Sequence, residues 1–407
     1  MFKKSQLKSG IRIVSEQIPH VRSVSFGVWL QVGSRNESVT DNGISHFIEH
    51  MMFKGTSARS AFEIAESLET VGGHLNAFTG KELTCYYAHI LDEHLPIAVD
   101  VISDILMNSR FVASEVEKEK QVVLEELNTI EETPEDLIHE LFATDIFLNH
   151  PLGLSTIGRR ETIHNFSRKQ LRDYVKRNYS TEGMVIAAAG NLEHDSLVQL
   201  VEKKFAGFNS FASDGYLPPT AAPNGKNIVE NGAIQAHICL GTQSYSYSDS
   251  KKFALLVLNT LLGAGMSSRL FQNIREKYGL AYSVYSFIDF MFDTGLFGVY
   301  IGTDKNKIDD SVALIKTELE NLVREPVSDA ELLRTKSQLK GNLMLGLENT
   351  SGRMNRLAKM EVYLQRYFTL DETLQAIESV TKPNIMDTAQ ELFSHDRIFT
   401  TILKPKN

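Results

Sequence analysis

The stretch SVSFGVWLQVG alternates apolar with small or polar residues from Val24 to Val32, the two-residue period of a half-buried strand, and AIQAHICLGTQ at 233–243 reads the same way. From these two points the chain passes through one order of elements twice. LTCYYAHI (83–90) leads into a helical run from His94, and GLFGVYIG (295–302) leads into one from Asn306. FVASEVEKEKQVVLEEL at 111–127 and PVSDAELLRTKSQLKGNL at 326–343 each open on small capping residues and continue as long helices. ETIHNFSRKQLRDYV from Glu161 is echoed by ETLQAIESVTKPNIMDTA from Glu372, an offset of 211 residues, and each copy closes on a strand, MVIAAAG (184–190) or IFTTILK (398–404). So regular a shift predicts a duplicated domain. Two unrelated α+β units are the alternative, because identity between the copies is low.

The expected fold class is α+β, with two related domains, each a mostly antiparallel sheet with helices on one face. FNSFASDGYLPPTAAPNGKN, residues 208–227, is rich in Pro, Gly, Ser and Asn and carries no apolar period, as a linker does. That places an N-terminal domain at 1–207 and a C-terminal domain at 228–407. A length of 407 residues suits two domains, each able to bury its own core.

Composition narrows the function by exclusion. A formal charge of -9 argues against a surface that neutralises phosphate backbones, so no nucleic-acid partner is expected. No apolar run approaches the roughly 18–20 residues needed to span a bilayer, so no membrane partner is expected either. The start, MFKKSQLKSGIRIVSEQ, has early lysines with no apolar segment behind them, which is not the pattern of a secretory signal. Gly10 to Val14 already resembles a first strand. Cys85 and Cys239, the only cysteines, each fall inside an apparent strand, which suits buried thiols in a reducing compartment. The expected location is cytoplasmic.

The sharpest chemical signal is HFIEH at 46–50. On a helix, residues four apart share a face, so His46 and His50 can present imidazole nitrogens to one cation, with Glu49 beside them. Asp41 and Asn42 are candidate caps for that helix. Neutral imidazoles suit zinc, and a carboxylate next to the ion can take a proton from an attacking water and hand it to a leaving amine. A helix carrying two ordinary histidines is the plain alternative. In EVEKEKQVVLEELNTIEE, from Glu115, the apolar stripe is Val116, Val123, Leu127 and Ile130; Glu119 and Glu126 fall about 40° and 60° from its centre, with Glu125 nearly opposite. Carboxylates on a core-facing side need a partner, and a cation supplies one; the alternative is a solvated acidic face.

With Glu126 placed 76 residues after His50, the chain resembles the inverted-zincin metallopeptidases of the pitrilysin/insulinase family. It is closest to the short, single-unit branch that includes bacterial processing proteases and the mitochondrial processing peptidase β subunit. The resemblance implies one Zn2+ per chain on His46, His50 and Glu126, with Glu49 as the base and Glu119 as a carboxylate steadying a ligand. It implies that the hairpin GGHLNAFTGKELTCYY, residues 72–87, receives peptide along an edge strand, Asn76 and Ala77 contacting its backbone. In SSRLFQNIREKYGLAYSV it gives Arg275 a grip on substrate backbone and Tyr282 a hydrogen bond to the developing oxyanion. On the residues alone Arg275 reads as a helix-surface charge, and the preceding LLGAGMSSR lacks the Gly-Lys-Ser/Thr ending of a phosphate loop. Arg269 and Glu82 fit the family's local patterns and are open to a structural role.

The expectation is therefore a zinc-dependent endopeptidase hydrolysing short or unfolded peptides, bound in extended form, inside the chamber of a homodimer. Two alternatives stand beside it: a catalytically silent peptide-binding or assembly homologue, and a binding module with a regulatory zinc site.

Overall fold

A computed structural model describes residues 1–208, 210, 215–394 and 397–406. Two compact units are built from interleaved stretches of chain: 1–128, 154–216 and 346–367 form the first, and 129–153, 217–345 and 368–407 the second.

The first unit holds a six-stranded sheet of β1 (Phe2–Gln6), β2 (Arg12–Gln17), β3 (Ser23–Leu30), β4 (His74–Thr79), β5 (Thr84–Leu91) and β6 (Met184–Gly190). Its order is β1-β2-β6-β3-β5-β4, with only β2 and β6 parallel. The second unit holds β7 (Gly225–Asn231), β8 (Ala236–Ser244), β9 (Ala281–Phe290), β10 (Gly295–Thr303) and β11 (Phe399–Pro405). Here the order is β7-β11-β8-β10-β9, again with one parallel pair, β7 and β11. Strand for strand, β2, β6, β3, β5 and β4 correspond to β7, β11, β8, β10 and β9. The α+β class and the internal repeat inferred from the sequence are both present, and β1 is an addition peculiar to the first copy.

Each sheet has its expected helical layer, and each has a further helix that a division at 208–227 does not anticipate. In the first unit, Ser15 on β2 faces His194 at the start of the helix His194–Lys204. Arg12 and Glu16, on the opposite face of the same strand, meet Glu361 and Arg353 of the helix Thr350–Leu364. That helix buries Met354, Leu357, Ala358 and Val362, each large side chain contributing about 1.5–3 kcal/mol when fully buried. In the second unit, Ile238, Leu240, Phe297 and Val299 face one core with the helices Lys252–Gly263 and Ile308–Arg324. The alternate residues Cys239, Leu296 and Tyr300 face another, filled by Ile138, Phe142 and Ile146 of the helix Pro134–Ile146.

Covered on both sides, β3, β6 and β10 are buried at nearly every position and read as continuous apolar runs. The exchanged helices come from the other half of the sequence, so a helix docking far from its neighbours in the chain completes each unit. Part of the expected linker, positions 209 and 211–214, lies outside the described residues, and its end belongs to β7. Cys85 and Cys239 are buried free thiols. Among the described residues no helix is long and apolar enough to cross a membrane.

Candidate metal centre

The HFIEH segment lies on the helix Ile44–Met52, pinned by Ile44, Phe47, Ile48, Met51 and Met52, all buried. His46, Glu49 and His50 therefore share its remaining face. Asp41 and Asn42 do not cap this helix. The residue at its start is Gly43, at φ 91°, where a Cβ would stand 2.5 Å from the Ile157 carbonyl oxygen. The capping acceptor is Glu37, upstream, whose carboxylate receives the N–H groups of Gly43 at 2.7 Å and Ser45 at 2.9 Å. Asn42 turns inward and donates to Glu37 at 3.0 Å and to the Ser155 carbonyl at 2.7 Å. A side chain six residues before Gly43 does this work, across the left-handed turn that Gly43 adopts.

Glu119 and Glu126 lie on the helix Ala113–Glu132, which ends where Pro134 starts the next helix. Nε2 of His46 stands 3.6 Å from Oε1 of Glu126, and Nε2 of His50 stands 3.5 Å from Oε2. One atom from each of the three residues lies within 4.8 Å of the others. Direct hydrogen bonds end near 3.2 Å, so these contacts are too long to satisfy the groups by themselves. Donor atoms about 2.1 Å from one tetrahedral zinc are about 3.4 Å apart; the two imidazole contacts, made to different oxygens of Glu126, lie close to that, and one atom from each residue gathers within 4.8 Å. The donor set, two imidazoles and a carboxylate, is also one zinc takes, so the residues fit the ion. Glu126 is 44% exposed, more open than a core-facing position predicts, and the buried acid of the pair is Glu119.

Glu119 accepts from Nδ1 of His50 at 2.9 Å and pairs with Lys54 at 2.7 Å. The first contact fixes the His50 tautomer and leaves Nε2 free toward Glu126. Burial opposes charge on His50, but Glu119 and Glu126 outweigh it and its pKa is raised. For Glu119 burial is likewise outweighed, by His50 and Lys54, and its pKa is lowered. His46 lacks such a carboxylate; burial and the neighbouring His50 push it down to about 3, so it is a neutral ligand across the physiological range. Its Nδ1 is buried without a hydrogen-bond partner.

Glu49 receives the Thr79 hydroxyl at 2.5 Å. Burial raises its pKa, against that hydrogen bond. Thr79 ends β4, which pairs with β5 alone and is the edge of its sheet. Asn76 and Ala77 sit mid-strand, Asn76 exposed and its Oδ1 accepting the Ala77 N–H at 2.8 Å. The hairpin turn is held by Arg35: its backbone N–H reaches the Lys81 carbonyl at 2.7 Å, and its guanidinium pairs with Glu82 at 2.6 Å. Both side chains are buried, which gives Glu82 a structural role.

In the second unit Arg275 lies on a π-helical turn, Phe271–Lys277, and Tyr282 is the second residue of the edge strand β9. The Arg275 guanidinium sits 4.6 Å from the Phe271 ring and 5.3 Å from that of Tyr282, which is 81% exposed. Arg269 forms a two-pronged pair with Glu331, both contacts 2.8 Å. The structure thus gathers His46, His50, Glu126, Glu49 and Glu119 in one unit, and Arg275 with Tyr282 in the other. Thr79, Lys54 and Glu37 went unrecognised in the sequence. Only Thr79 left a signal there, since the strand period puts it on the same face as Ala77.

Fold and site together define a duplicated α+β protein with an inverted His-x-x-Glu-His metal motif completed by a distant glutamate. Residues 12–160 match the family described as Insulinase (Peptidase family M16), and residues 165–339 match its companion described as Peptidase M16 inactive domain. An uncharacterized zinc protease of Bacillus subtilis, YmxG, is 42% identical over 97% of this chain and 97% of its own length. An uncharacterized zinc protease of Mycobacterium tuberculosis H37Rv is 41% identical over 99% of this chain and 93% of its own. The chain belongs to the insulinase family, peptidase family M16. Its fold is shared by a protease from Helicobacter pylori, at TM-score 0.93 and 24% identity over 100% of this chain and 99% of that one. It is shared also by a peptidase M16 inactive domain from Pseudomonas fluorescens, at TM-score 0.92 and 17% identity over 100% and 98%.

Proposed function

We propose that the protein is a zinc endopeptidase acting on short or unfolded peptides. The observation that carries this is the convergence of His46, His50 and Glu126, one donor atom of each within 4.8 Å of the others, with Glu49 on the same helix face. The zinc-protease names of its full-length relatives support it. Zinc held by His46, His50 and Glu126 would supply a Lewis acid for the scissile carbonyl and would make water a better nucleophile. Glu49, buried and with its pKa raised, takes the proton of the attacking water and returns it to the departing nitrogen. Peptide adds to β4 as a further strand, Asn76 and Ala77 meeting its backbone, so main-chain hydrogen bonds supply affinity with little demand on sequence. Arg275 holds substrate carbonyls, and the exposed Tyr282 hydroxyl donates to the carbonyl oxygen as charge develops on it. A second copy of the chain is the partner that closes the chamber.

The test is digestion of a mixture of unfolded peptides, read by mass spectrometry, with and without a chelator. Glu49→Gln is expected to keep its zinc and lose about 10²–10⁴-fold in turnover. Undiminished cleavage by that variant would rule the mechanism out.

A further inference from the structure

The Thr79 hydroxyl touches the carboxylate read as the base, and the reaction as drawn leaves that contact unused. The contact is short, 2.5 Å from Thr79 Oγ1 to Glu49 Oε2. An ionised carboxylate only accepts, so the hydroxyl proton belongs to Thr79 and points at Oε2. Thr79 is itself held by the sheet, and its nearest hydroxyl neighbour is committed elsewhere. Its backbone lies opposite Thr84 in the β4–β5 ladder, and the Thr84 hydroxyl stands 3.5 Å from its own while donating to the Val32 carbonyl at 2.8 Å. The donor is therefore mounted on sheet backbone, whereas Glu49 reaches it on a flexible side chain.

We infer that Thr79 is a positioning residue for the base, fixing Oε2 of Glu49 so that Oε1 alone is presented to the reacting water and to the leaving nitrogen. The inference rests on the peptidase reading above. A proton taken from water is lodged on Oε1, because the Thr79 O–H occupies the approach to Oε2. The same proton leaves from Oε1 to the amine, so one oxygen serves both transfers and the carboxylate need not rotate between them. Because Thr79 closes the strand along which peptide is to add, the residue that orients the base belongs to the element that orients the substrate.

The hydroxyl is removed with least change of shape by Thr79→Val, which keeps the β-branched side chain suited to a strand. The expected result is a fall in kcat of tenfold or more, on the order expected for a misdirected proton-transfer group, with KM and zinc affinity within twofold of the parent. Thr79→Ser is expected to recover most of the lost kcat, and a crystal structure of Thr79→Val to show the Glu49 carboxylate turned from its present orientation. Should Thr79→Val not fold, the contrast between Thr79→Ser and Thr79→Ala carries the same test. A kcat within twofold of the parent overturns the inference, as does a loss that follows zinc content or appears in KM. Glu49→Gln, measured alongside, separates the two ideas. If it cleaves like the parent, the peptidase mechanism fails; if it is inactive while Thr79→Val is not, only the role of Thr79 fails.

Discussion

At the scale of single residues, His46 and His50 differ although they stand one helical turn apart. His50 has a dedicated acceptor in Glu119, itself neutralised by Lys54, and that chain settles which imidazole nitrogen faces the ion. His46 has no acceptor at Nδ1 and stays neutral because it is buried. The two ligands should therefore respond unequally to changes behind them. Glu119→Gln keeps the shape but removes the charge behind His50. It is expected to weaken zinc binding about 10–100-fold in a chelator competition, with little change in the folded structure. Affinity within twofold of the parent would show that His50 is oriented by packing alone.

At the scale of elements, the glutamates on two helices and the hydroxyl on an edge strand meet because each element is fixed from behind. Glu37 holds the start of the HFIEH helix, Arg35 and Glu82 hold the β4–β5 turn, and in the second unit Arg269, two residues before the π-helical turn, pairs with Glu331 of the helix Asp329–Gly346. The last pair gives a pH signature. The Arg269 hydrogen bonds lower the Glu331 pKa below its usual 4.5. A depressed carboxylate contributes stability that is fully present above its unfolded pKa and is lost as pH falls through the folded one. Glu331→Gln is accordingly expected to cost about 1 kcal/mol at neutral pH, allowing for partial solvent screening, and to cost nothing once the acid is protonated in both states. Denaturation curves at neutral pH and at successively lower pH check this; a difference that does not shrink as pH falls would refute it.

Legibility also divides at this scale. The repeated strands were readable because alternation is a local property, and HFIEH was readable because i, i+4 spacing is fixed by helix geometry alone. Glu126 was expected on a core-facing side and is instead 44% exposed, while Glu119, on the same stripe, is the buried acid. Asp41 and Asn42 were the wrong caps because the acceptor comes from beyond a turn that only Gly43 permits. Thr79 and Lys54 are ordinary strand and helix-end residues until tertiary packing sets them against Glu49 and Glu119.

At the scale of the molecule, the duplicated sheets were visible in the sequence and the exchange of helices was not. An amphipathic segment such as PEDLIHELFATDI declares an apolar face but not which sheet will receive it. The exchange has a consequence for any attempt to separate the halves. Residues 1–207 alone lack Thr350–Leu364 and expose the face of β2, β3 and β6 that it covers. Residues 208–407 alone lack Pro134–Ile146 and expose Cys239, Leu296 and Tyr300. Each half expressed by itself is expected to aggregate, and the two expressed together to yield soluble material. Monodisperse, cooperatively unfolding halves would contradict this.

The central claim is that two imidazoles from one helix and a carboxylate from another hold a single zinc ion. Its most direct test is anomalous diffraction at the zinc edge from crystals of the purified protein. One peak per chain is expected, about 2.0–2.2 Å from Nε2 of His46, Nε2 of His50 and an oxygen of Glu126. No peak after incubation with zinc, or a peak that leaves Glu126 unengaged, would contradict it.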